Sequence, residues 1–453
     1  MKPLPRKSLV LYALPEYACF LGIIPISLYL PFVYAKDFGL DLADVGLILM
    51  LARLSDVVTD PLIGHLSDRT HTRFGRRKPW LVLGGILMMG SSYILFNPGV
   101  FGGVVGNGYL LLWSMLLWLG WTLINIPYYA WGAELSDDYD ERTRLTGWRQ
   151  AFAFLGNVSV LAIPVLSGQL TGYGAVPKEG LAIVGSMALV ALPVCIGLAL
   201  WGVPERQVIK VPRSSIIKNL KHMLGNGSFV LLFLGFMLMM LGTGWGSATF
   251  MLFAAFVVEA EAQTQAILLA YFGANILSLP LWIRLAERIG KKNTWLIGGF
   301  LFVCITPSFL LLGAGDLWGF FVCLGIYGVA GGNFGALSMA MKADVIEIAS
   351  HRQGEDLAGS YIAVWSLGQK LMSALALGTA LPLLQVLGFD PNAQNTPQQI
   401  DYLRWVYVLP PWLFYALAVA FIWRYPISSA RLTRLRTAFE RRSARRRQAL
   451  EMG

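Results

Sequence analysis

The sequence predicts an all-α integral membrane protein with twelve transmembrane helices. Of its 453 residues, 56% are hydrophobic and only 14% are charged, whereas a soluble globular chain carries roughly 25% charged residues. The mean hydropathy is +0.59. Apolar stretches of the ~20 residues that a helix needs to cross the bilayer recur along the whole chain. They leave no room for a separate soluble domain.

The apolar stretches divide the chain into two equal groups. The predicted spans lie at roughly 10–34, 42–66, 80–98, 108–134, 148–169, 181–202, 228–257, 263–286, 294–313, 317–341, 360–386 and 404–424. The longest hydrophilic interruption, 203–226, separates six spans from six. We therefore expect a six-helix bundle at 1–202, a cytoplasmic central loop at 203–227, a second six-helix bundle at 228–424 and a basic cytoplasmic tail at 425–453.

An internal repeat supports this division. Pro61-Leu is followed seven residues on by Asp68-Arg69, and then by Gly75 and a run of basic residues. Pro280-Leu is followed at the same spacing by Glu287-Arg288, and then by Gly290 and two lysines. Each segment joins the second and third spans of its half. A repeat at matched positions indicates two pseudo-symmetric bundles around a central path.

Basic residues indicate the orientation. With the N-terminus inside, the inner loops hold most of the lysine and arginine, and the outer loops offer little beyond Lys36, Lys178 and Arg404. Both termini are then cytoplasmic, in a multi-pass protein of the plasma membrane (the bacterial inner membrane). The net charge of +10 comes largely from these inner loops and the tail, so it does not indicate nucleic-acid binding. The tail is expected to lie near anionic lipid, and its arginines are Arg431, Arg434, Arg436, Arg441, Arg442, Arg445, Arg446 and Arg447.

Three charges lie within the second span. Arg53, Asp56 and Asp60 are spaced i, i+3 and i+7, which places them on one helix face. Charges in hydrocarbon cost at least ~2.5–3.5 kcal/mol, so this face is expected to line a cavity. The two carboxylates could coordinate Na⁺ with help from Thr59 and Thr122, or could share a proton. The alternative is a static Arg53–Asp56 ion pair.

Lys370 lies inside the eleventh span, in the other predicted bundle. It is expected to point inward and to attract Asp56 and Asp60 when no cation is bound. Cation binding would release it, and this exchange would couple the cation to a movement of the bundles.

Aromatic and polar side chains on the fourth span suit a sugar-like solute. Trp121, Asn125 and Tyr129 are spaced i, i+4 and i+8, and therefore share a face. Aromatic faces and an amide match a solute with apolar ring faces and polar edges. Arg149, expected at the start of the fifth span, could bind solute hydroxyls. The alternative for Arg149 is a snorkelling interfacial side chain.

Several motifs resemble one transporter family. The segments are Asp56-Val-Val-Thr-Asp60-Pro-Leu-Ile-Gly64, Gly75-Arg-Arg-Lys-Pro-Trp80 and Asn125-Ile-Pro-Tyr-Tyr-Ala-Trp-Gly-Ala-Glu134. They resemble the glycoside–pentoside–hexuronide:cation symporters of the major facilitator superfamily, typified by the melibiose permease. The resemblance covers nearly the whole chain and implies the major facilitator fold.

The resemblance also implies roles for individual residues. Asp56 and Asp60 would form the cation site with Thr122, Lys370 would face it and Arg53 would support it. The side chains that would line the sugar site are Trp121, Asn125, Tyr129 and Arg149.

This chain departs from the family pattern at three positions. Thr59 replaces an asparagine, so a proton is at least as plausible a coupling ion as sodium. Asn125 replaces an aspartate, and Phe20 replaces an acid in the first span. Glu16, one turn earlier, could substitute for that acid. We therefore do not infer a galactoside substrate from the resemblance to the family.

The functional prediction is a secondary transporter. It would couple H⁺ or Na⁺ to the symport of a sugar or glycoside-like solute by alternating access. The same fold carrying a lysolipid or another amphiphile is the alternative. We find no nucleophile–base pair or metal cluster, so no enzyme activity and no cofactor are expected. The expected partners are the solute, the coupling cation and the bilayer, and the chain is expected to be a monomer.

One glycine-rich segment has a structural interpretation. Gly242-Thr-Gly-Trp-Gly246 lacks the strand and the acidic residue of a dinucleotide site. It predicts close helix packing or a flexible point in the seventh span.

Overall fold

The computed structural model describes residues 4–136, 138–174, 176–205, 223–353 and 358–427. The described residues form fifteen α-helices and two short 3₁₀ helices. The first-half helices are α1 (Arg6–Leu28), α2 (Leu30–Lys36), α3 (Leu42–Leu54), α4 (Asp56–Arg69), α5 (Lys78–Phe96), α6 (Asn107–Leu135), α7 (Tyr139–Thr171) and α8 (Pro177–Gly202). The second-half helices are α9 (Gly227–Phe256), α10 (Thr264–Leu277), α11 (Leu279–Ile289), α12 (Lys291–Ile305), α13 (Leu317–Gln353), α14 (Ala358–Val386) and α15 (Pro397–Trp423). The 3₁₀ helices are Glu261–Gln263 and Thr306–Leu311.

The predicted spans are present as helices. Eleven stretches of the described chain are long and apolar enough to cross a membrane. The second predicted span, 42–66, is not among them, because Arg53, Asp56 and Asp60 lie close together near its centre. Ser55 divides this span into α3 and α4. Most of the predicted central loop and all of the basic tail from Arg431 onward lie outside the described residues.

Each half has one interrupted span, and in each it is the span that leads into the repeated motif. Ser55 separates α3 from α4, and Ser278 separates α10 from α11. A proline follows each break, Pro61 after the first and Pro280 after the second. Because proline has no N–H, it leaves a carbonyl of the preceding turn without its helical partner. Pro280 lies two residues after its break and can account for it, whereas Pro61 lies six residues after the break at Ser55.

The repeated motif also has the same local geometry in both halves. Gly75 has φ +108° and Gly290 has φ +86°. These are left-handed values that glycine adopts without strain. Each glycine precedes basic residues at the start of a helix, α5 in one half and α12 in the other. This match is a structural counterpart of the sequence repeat.

Two helix ends differ from the sequence prediction. Helix α7 begins at Tyr139 rather than near 148, and α13 continues to Gln353 rather than ending near 341. Arg149 therefore lies inside α7 and not at its start, which corrects the prediction. Both extensions carry charged residues. Hydropathy identifies the part of a helix that lies in hydrocarbon, and it does not detect polar turns that project beyond it.

Close packing of the glycine-rich segment is confirmed at two of its three glycines. A Cβ atom on Gly242 would lie 2.4 Å from Cε1 of Tyr415, and one on Gly244 would lie 2.9 Å from Cβ of Ala376. Helix α9 can therefore approach α15 and α14 only because these positions lack side chains. Gly246 is different, because its Cβ would lie 3.8 Å from Oη of Tyr327, an ordinary contact.

Polar contacts at one end of the molecule join the two halves. We call the end with the Arg76–Lys78 segment the basic end. At the opposite end Lys36 forms an ion pair with Glu261. Two hydrogen bonds also cross between the halves there. Asn392 Nδ2 donates to Ala35 O at 2.7 Å, and Ala43 N donates to Gln385 Oε1 at 2.5 Å.

Ion pairs at the basic end lie within each half. Arg77 pairs with Asp68 and Glu134 in the first half, both at 2.7 Å. Lys291 pairs with Asp344 in the second half at 2.6 Å. These pairs stabilise each bundle separately, whereas the contacts at the opposite end connect the bundles.

Candidate cation and solute site

Two carboxylates of α4 and one hydroxyl of α6 form a compact cluster. Thr122 Oγ1 lies 3.0 Å from Asp60 Oδ1 and 3.3 Å from Asp56 Oδ1. Asp56 has no exposed surface, and the Asp60 side chain is 22% exposed. The two acids lie one turn apart, just after the Ser55 break. Their oxygens and the threonine hydroxyl together offer ligands suited to a small hard cation.

Lys370 reaches this cluster from the second half. Its Nζ lies 2.5 Å from Asp60 Oδ2 and 3.2 Å from Asp56 Oδ2. The α14 helix that carries it packs along α3. The structure therefore brings together the predicted acids and the predicted second cation.

Arg53 pairs with the more deeply buried acid. Its Nη1 lies 2.7 Å from Asp56 Oδ2, and its guanidinium carbon lies 3.8 Å from the Trp118 ring centroid. The Arg53–Asp56 ion pair, which was the static alternative for this helix face, is therefore present. It is not isolated, since Lys370 contacts the same Asp56 oxygen. Trp118 was not predicted, because aromatic residues are common in transmembrane helices and this one carries no distinguishing signal.

The cluster has balanced formal charges. Two carboxylates face Arg53 and Lys370, so it is neutral when all four groups are ionised. A bound cation would add a positive charge to a buried site, and such a charge is costly in a low dielectric. A cation held by these carboxylates would compete with Lys370, whose Nζ contacts both. Thr59 Oγ1 is buried nearby on α4 without a hydrogen-bond partner in the described structure, so it can serve as a further ligand.

A second buried polar group joins α1, α6 and α7. Tyr129 Oη donates to Glu16 Oε1 at 3.0 Å. The guanidinium of Arg149 stacks 3.8 Å from the Tyr129 ring centroid, and its Nε lies 3.8 Å from Glu16 Oε2. Arg149 thus points into the bundle, unlike the snorkelling alternative. Glu16 is 2% exposed.

Two polar atoms of this group, Glu16 Oε2 and Arg149 Nε, have no hydrogen bond to another described residue. Asn157 Oδ1, further along α7 and outside this group, is also buried without such a bond. Buried polar atoms are normally satisfied, so donors and acceptors left open at one place indicate a polar ligand. Sequence reasoning named Glu16 only as a substitute for a missing acid. It did not identify Asn157, since a single asparagine inside a span is a weak signal.

The remaining predicted solute residues lie along the same side of α6. Trp121 is buried and meets Phe20 edge-on at 6.5 Å between ring centroids. Asn125 is half-buried and lies one turn from Trp121 and one turn from Tyr129. Phe20 therefore adds an aromatic ring beside Trp121.

The cavity of ≈ 630 Å³ between α1 and α8 is not this site. It is lined by Tyr17, Leu21 and residues of α8 such as Val190. Val190 is 63% exposed and the lining is mostly apolar, as expected for a groove facing lipid. Within the described residues no group of three or more His, Cys, Asp or Glu side chains could hold a metal ion. The ligands available at the candidate cation site are two carboxylates and neighbouring hydroxyls.

The chain resembles transporters along almost its full length. Residues 11–429 match the family described as MFS/sugar transport protein. The chain is 26% identical to the glucuronide carrier protein homolog of Escherichia coli (strain K12), covering 93% of each protein. It is 24% identical to the isoprimeverose transporter of Lactiplantibacillus pentosus, covering 92% of this chain and 88% of that protein. It is also 23% identical to the sodium-dependent lysophosphatidylcholine symporter 1 of Mus musculus, covering 87% and 81%.

Solved transporter structures share the fold. A crystal structure of the D-xylose-proton symporter has a TM-score of 0.64 at 15% identity, covering 93% of this chain and 97% of that one. An inward-facing bacterial homolog of the human lysosomal transporter Spinster has a TM-score of 0.65 at 14% identity, covering 94% and 98%.

The all-helical fold, the apolar spans and the buried ion cluster define a multi-pass transporter of the plasma membrane. The chain belongs to the glycoside–pentoside–hexuronide:cation symporter family of the major facilitator superfamily. The family and these structural relatives are transporters rather than enzymes.

Proposed function

We propose that the chain is a symporter that couples H⁺ or Na⁺ to the uptake of a sugar or glycoside-like solute by alternating access. The observation that carries this proposal is the contact between Lys370 and the acids Asp56 and Asp60. It joins a candidate cation site in one half to a counter-ion in the other. Twelve spans in two six-helix halves, with both termini and the basic end in the cytoplasm, complete the proposal.

Coupling follows from the charge balance of the site. A cation at Asp56 and Asp60 competes with Lys370 for the same oxygens, because Lys370 Nζ lies within 3.2 Å of both carboxylates. When Lys370 leaves, an ionic link between the halves is broken. The cation therefore changes the relative stability of two arrangements of the bundles, which is the condition for coupling.

The described contacts fit one state of an alternating-access cycle. Lys36–Glu261 and the hydrogen bonds at Ala35 and Ala43 join the halves opposite the basic end. We propose that this end faces outward and is closed here. Opening it requires these contacts to separate as the halves rock about the central site.

The Glu16–Tyr129–Arg149 group supports a hydroxylated solute. It combines an aromatic ring and open donor and acceptor atoms in a buried place, a combination that binds the faces and edges of a sugar. The solute-binding residues proposed are Trp121, Asn125, Tyr129 and Arg149, with Glu16 added from the structure. The relatives named for a glucuronide and for isoprimeverose support this solute class.

Transport in proteoliposomes tests the proposal. Uptake of radiolabelled sugars should be driven by an inward H⁺ or Na⁺ gradient and should stop when the gradient is collapsed. The Asp60→Asn variant removes one cation ligand charge while keeping the side-chain size, and it should lose gradient-driven accumulation. Full accumulation by Asp60→Asn would refute the proposed coupling.

A lysolipid or other amphiphile is the second candidate solute. The similarity to a sodium-dependent lysophosphatidylcholine symporter favours it. A panel of sugars and glycosides assayed beside lysophospholipids separates the two. Accumulation of only the apolar-tailed solutes would replace the sugar with an amphiphile and leave the coupling intact.

Further parts of the proposal concern partners. The coupling cation is the only ion that the mechanism needs, and we propose that no organic cofactor takes part. We also propose that the chain acts as a monomer and that its basic tail lies against anionic lipid. Size measurement in nanodiscs and binding to vesicles with and without anionic lipid test these two points.

A further inference from the structure

A lysine without an acidic partner lies inside a span of the second half. Lys342 belongs to the part of α13, Leu317–Ser350, that is long and apolar enough to cross a membrane. Among the described residues it forms no ion pair and no hydrogen bond. Lys291 differs, because it pairs with Asp344, two residues after Lys342. An ionisable side chain inside a span is costly, so Lys342 is a candidate functional residue.

The ammonium group of Lys342 is held over an aromatic ring. Its Nζ lies 5.2 Å from the centroid of the Trp365 ring, and Phe236 packs 4.5 Å from the same ring. Lys342 is half-buried, whereas Trp365 is 1% exposed. A ring face attracts an ammonium group by a cation–π interaction but does not neutralise its charge. The N–H donors of Lys342 therefore remain available to an anion.

The indole of Trp365 adds a second open donor. Its Nε1–H is buried without a hydrogen-bond partner among the described residues. Buried polar atoms are normally satisfied, so an open one beside an unpaired charge indicates a ligand. Lysine and the indole N–H can only donate. Two open donors, one of them charged, suit an anionic group such as a carboxylate.

The direction of α14 places this pair between the cation cluster and the basic end. The last turn of α14 carries Gln385, which bonds Ala43 at the end opposite the basic end. Earlier residues of α14 therefore lie closer to the basic end. Trp365 precedes Lys370 by five residues, or about 7.5 Å along the helix axis.

The first-half group around Tyr129 lies at a similar depth. Helix α6 runs toward the basic end, where Glu134 takes part in the ion pairs. Tyr129 follows Thr122 by seven residues, or about 10.5 Å along the axis. Thr122 and Lys370 both contact Asp60, so the two distances start from about the same level. A solute between the halves can therefore meet the Tyr129 group on one side and the donors of α13 and α14 on the other.

The charges at these sites also favour an anionic solute. The cation cluster is neutral when its four groups are ionised, and Glu16 and Arg149 carry opposite charges. Lys342 adds a positive charge without a counter-ion, and a coupling cation adds a second one. A solute carboxylate offsets one of these charges, so the cation and an anionic solute each favour binding of the other.

We propose that Lys342 and Trp365 form an anion site that receives a carboxylate of the solute. The inference rests on the proposed function and narrows its solute class to uronides, in which a carboxylate replaces the terminal hydroxymethyl group of the sugar. The Glu16–Tyr129–Arg149 group then binds ring hydroxyls, and the second half binds the carboxylate. Both halves hold the solute, so its binding stabilises their association.

Matched pairs of sugars test this recognition. Methyl glucuronide and methyl glucoside differ only in the carboxylate, and so do methyl galacturonide and methyl galactoside. Their binding to the full chain in nanodiscs is measured by calorimetry at neutral pH with Na⁺ present. The wild-type chain should bind the uronide of at least one pair about tenfold more tightly than its neutral partner, the effect of one hydrogen bond to a charged group.

Four variants separate the contributions to this ratio. Lys342→Met keeps an unbranched side chain without charge and should reduce the ratio to about one, chiefly by weakening the uronide. Lys342→Arg keeps the charge and should keep most of the ratio. Trp365→Phe keeps a ring under Lys342 but removes the N–H donor, so the ratio should fall about threefold. Lys292→Met is the charge control, because Lys292 donates to Trp423 O at an exposed position, and it should keep the wild-type ratio.

Other outcomes overturn the inference in distinguishable ways. A wild-type ratio near one, or an unchanged ratio in Lys342→Met, removes the anion site and leaves the sugar symporter standing. Equal loss in Lys342→Met and Lys292→Met would assign the preference to net charge and also removes the site. Binding of a lysophospholipid and of none of the four sugars removes both the anion site and the proposed solute class. Retained binding of the neutral glycoside shows that a variant is folded.

Discussion

Lys370 Nζ lies 2.5 Å from Asp60 Oδ2, across the boundary between the two halves. The acid belongs to α4, just beyond the interruption at Ser55, and the lysine belongs to the uninterrupted α14. An ion pair in this position is both a counter-ion for the candidate cation site and a mechanical link between the bundles. Its loss or exchange affects ion binding and conformation together.

Removal of the Lys370 charge should abolish net solute accumulation but leave solute exchange across the membrane intact. In Lys370→Met the carboxylates keep Arg53 as their one described cationic partner, so a bound cation becomes harder to replace and the cation-free carrier becomes costly to form. Solute counterflow, which needs no cation-free carrier, should persist. Accumulation driven by a cation gradient should fall to background in the same proteoliposomes.

Lys370→Arg is the control for this experiment. It keeps the charge but changes the shape of the donor group, so it should retain part of the gradient-driven accumulation. Equal loss of counterflow and accumulation in Lys370→Met would show that Lys370 serves solute binding or folding instead of coupling.

Arg53 should contribute to stability through Asp56. Breaking a buried ion pair by removing one partner typically costs about 3–5 kcal/mol, because it leaves the other charge uncompensated. Lys370 lies 3.2 Å from the same Asp56 oxygen and offsets part of that cost. Arg53→Gln should therefore lower the apparent unfolding temperature in detergent.

The double variant Arg53→Gln/Asp56→Asn tests the origin of that loss. It removes both charges and should recover most of the thermal stability lost in Arg53→Gln. If the double variant is less stable than Arg53→Gln, the contribution of Arg53 comes from its stacking on Trp118 and not from charge pairing.

The helices and the charged residues of the cation site were accessible to sequence reasoning. Hydropathy locates the spans because hydrocarbon requires long apolar stretches. Asp56, Asp60 and Lys370 stand out because charges inside such stretches are rare. The rarity of these charges is the only sequence evidence for a contact between Lys370 and Asp60. The structure shows that α14 packs along α3, and this packing brings the two side chains together.

Other features depend on packing that the sequence does not reveal. The break of the second span at Ser55 lies six residues before Pro61, so the proline alone does not locate it. The partners of Glu16 come from α6 and α7, and their meeting depends on how those helices cross α1.

The Tyr129–Glu16 hydrogen bond should affect the solute more than the cation. Tyr129→Phe removes the donor to Glu16 but keeps the ring on which Arg149 stacks. Without this donor Glu16 is no longer held in position for the solute, so the apparent solute affinity should fall by about tenfold, the effect of losing roughly one hydrogen bond of about 1.5 kcal/mol. Cation affinity, measured separately by cation-induced thermal shift, should stay within a factor of about two, because the cation ligands are on α4 and α6 and none is altered.

Tyr128→Phe is the matched control on the adjacent residue. Tyr128 Oη donates to the Tyr12 carbonyl at 2.5 Å, and no hydrogen bond joins it to Glu16 among the described residues. This variant should affect stability more than solute affinity. Equal loss of solute affinity in the two variants would indicate a general change in α6 packing.

Closure of the end opposite the basic end should depend on the Lys36–Glu261 contact. The pair joins the end of α2 to the Glu261–Gln263 turn, so it must separate whenever that end opens. In the double variant Lys36→Cys/Glu261→Cys, a short bifunctional thiol reagent should hold the halves together and stop solute uptake. Each single cysteine variant, treated with the same reagent, should keep its uptake, which controls for modification of the four native cysteines. A reducible reagent should allow uptake to return on reduction.

Uptake that continues at full rate with the cross-link formed would mean that this end stays closed throughout the cycle, and alternating access about the Lys370–Asp60 contact would have to be abandoned.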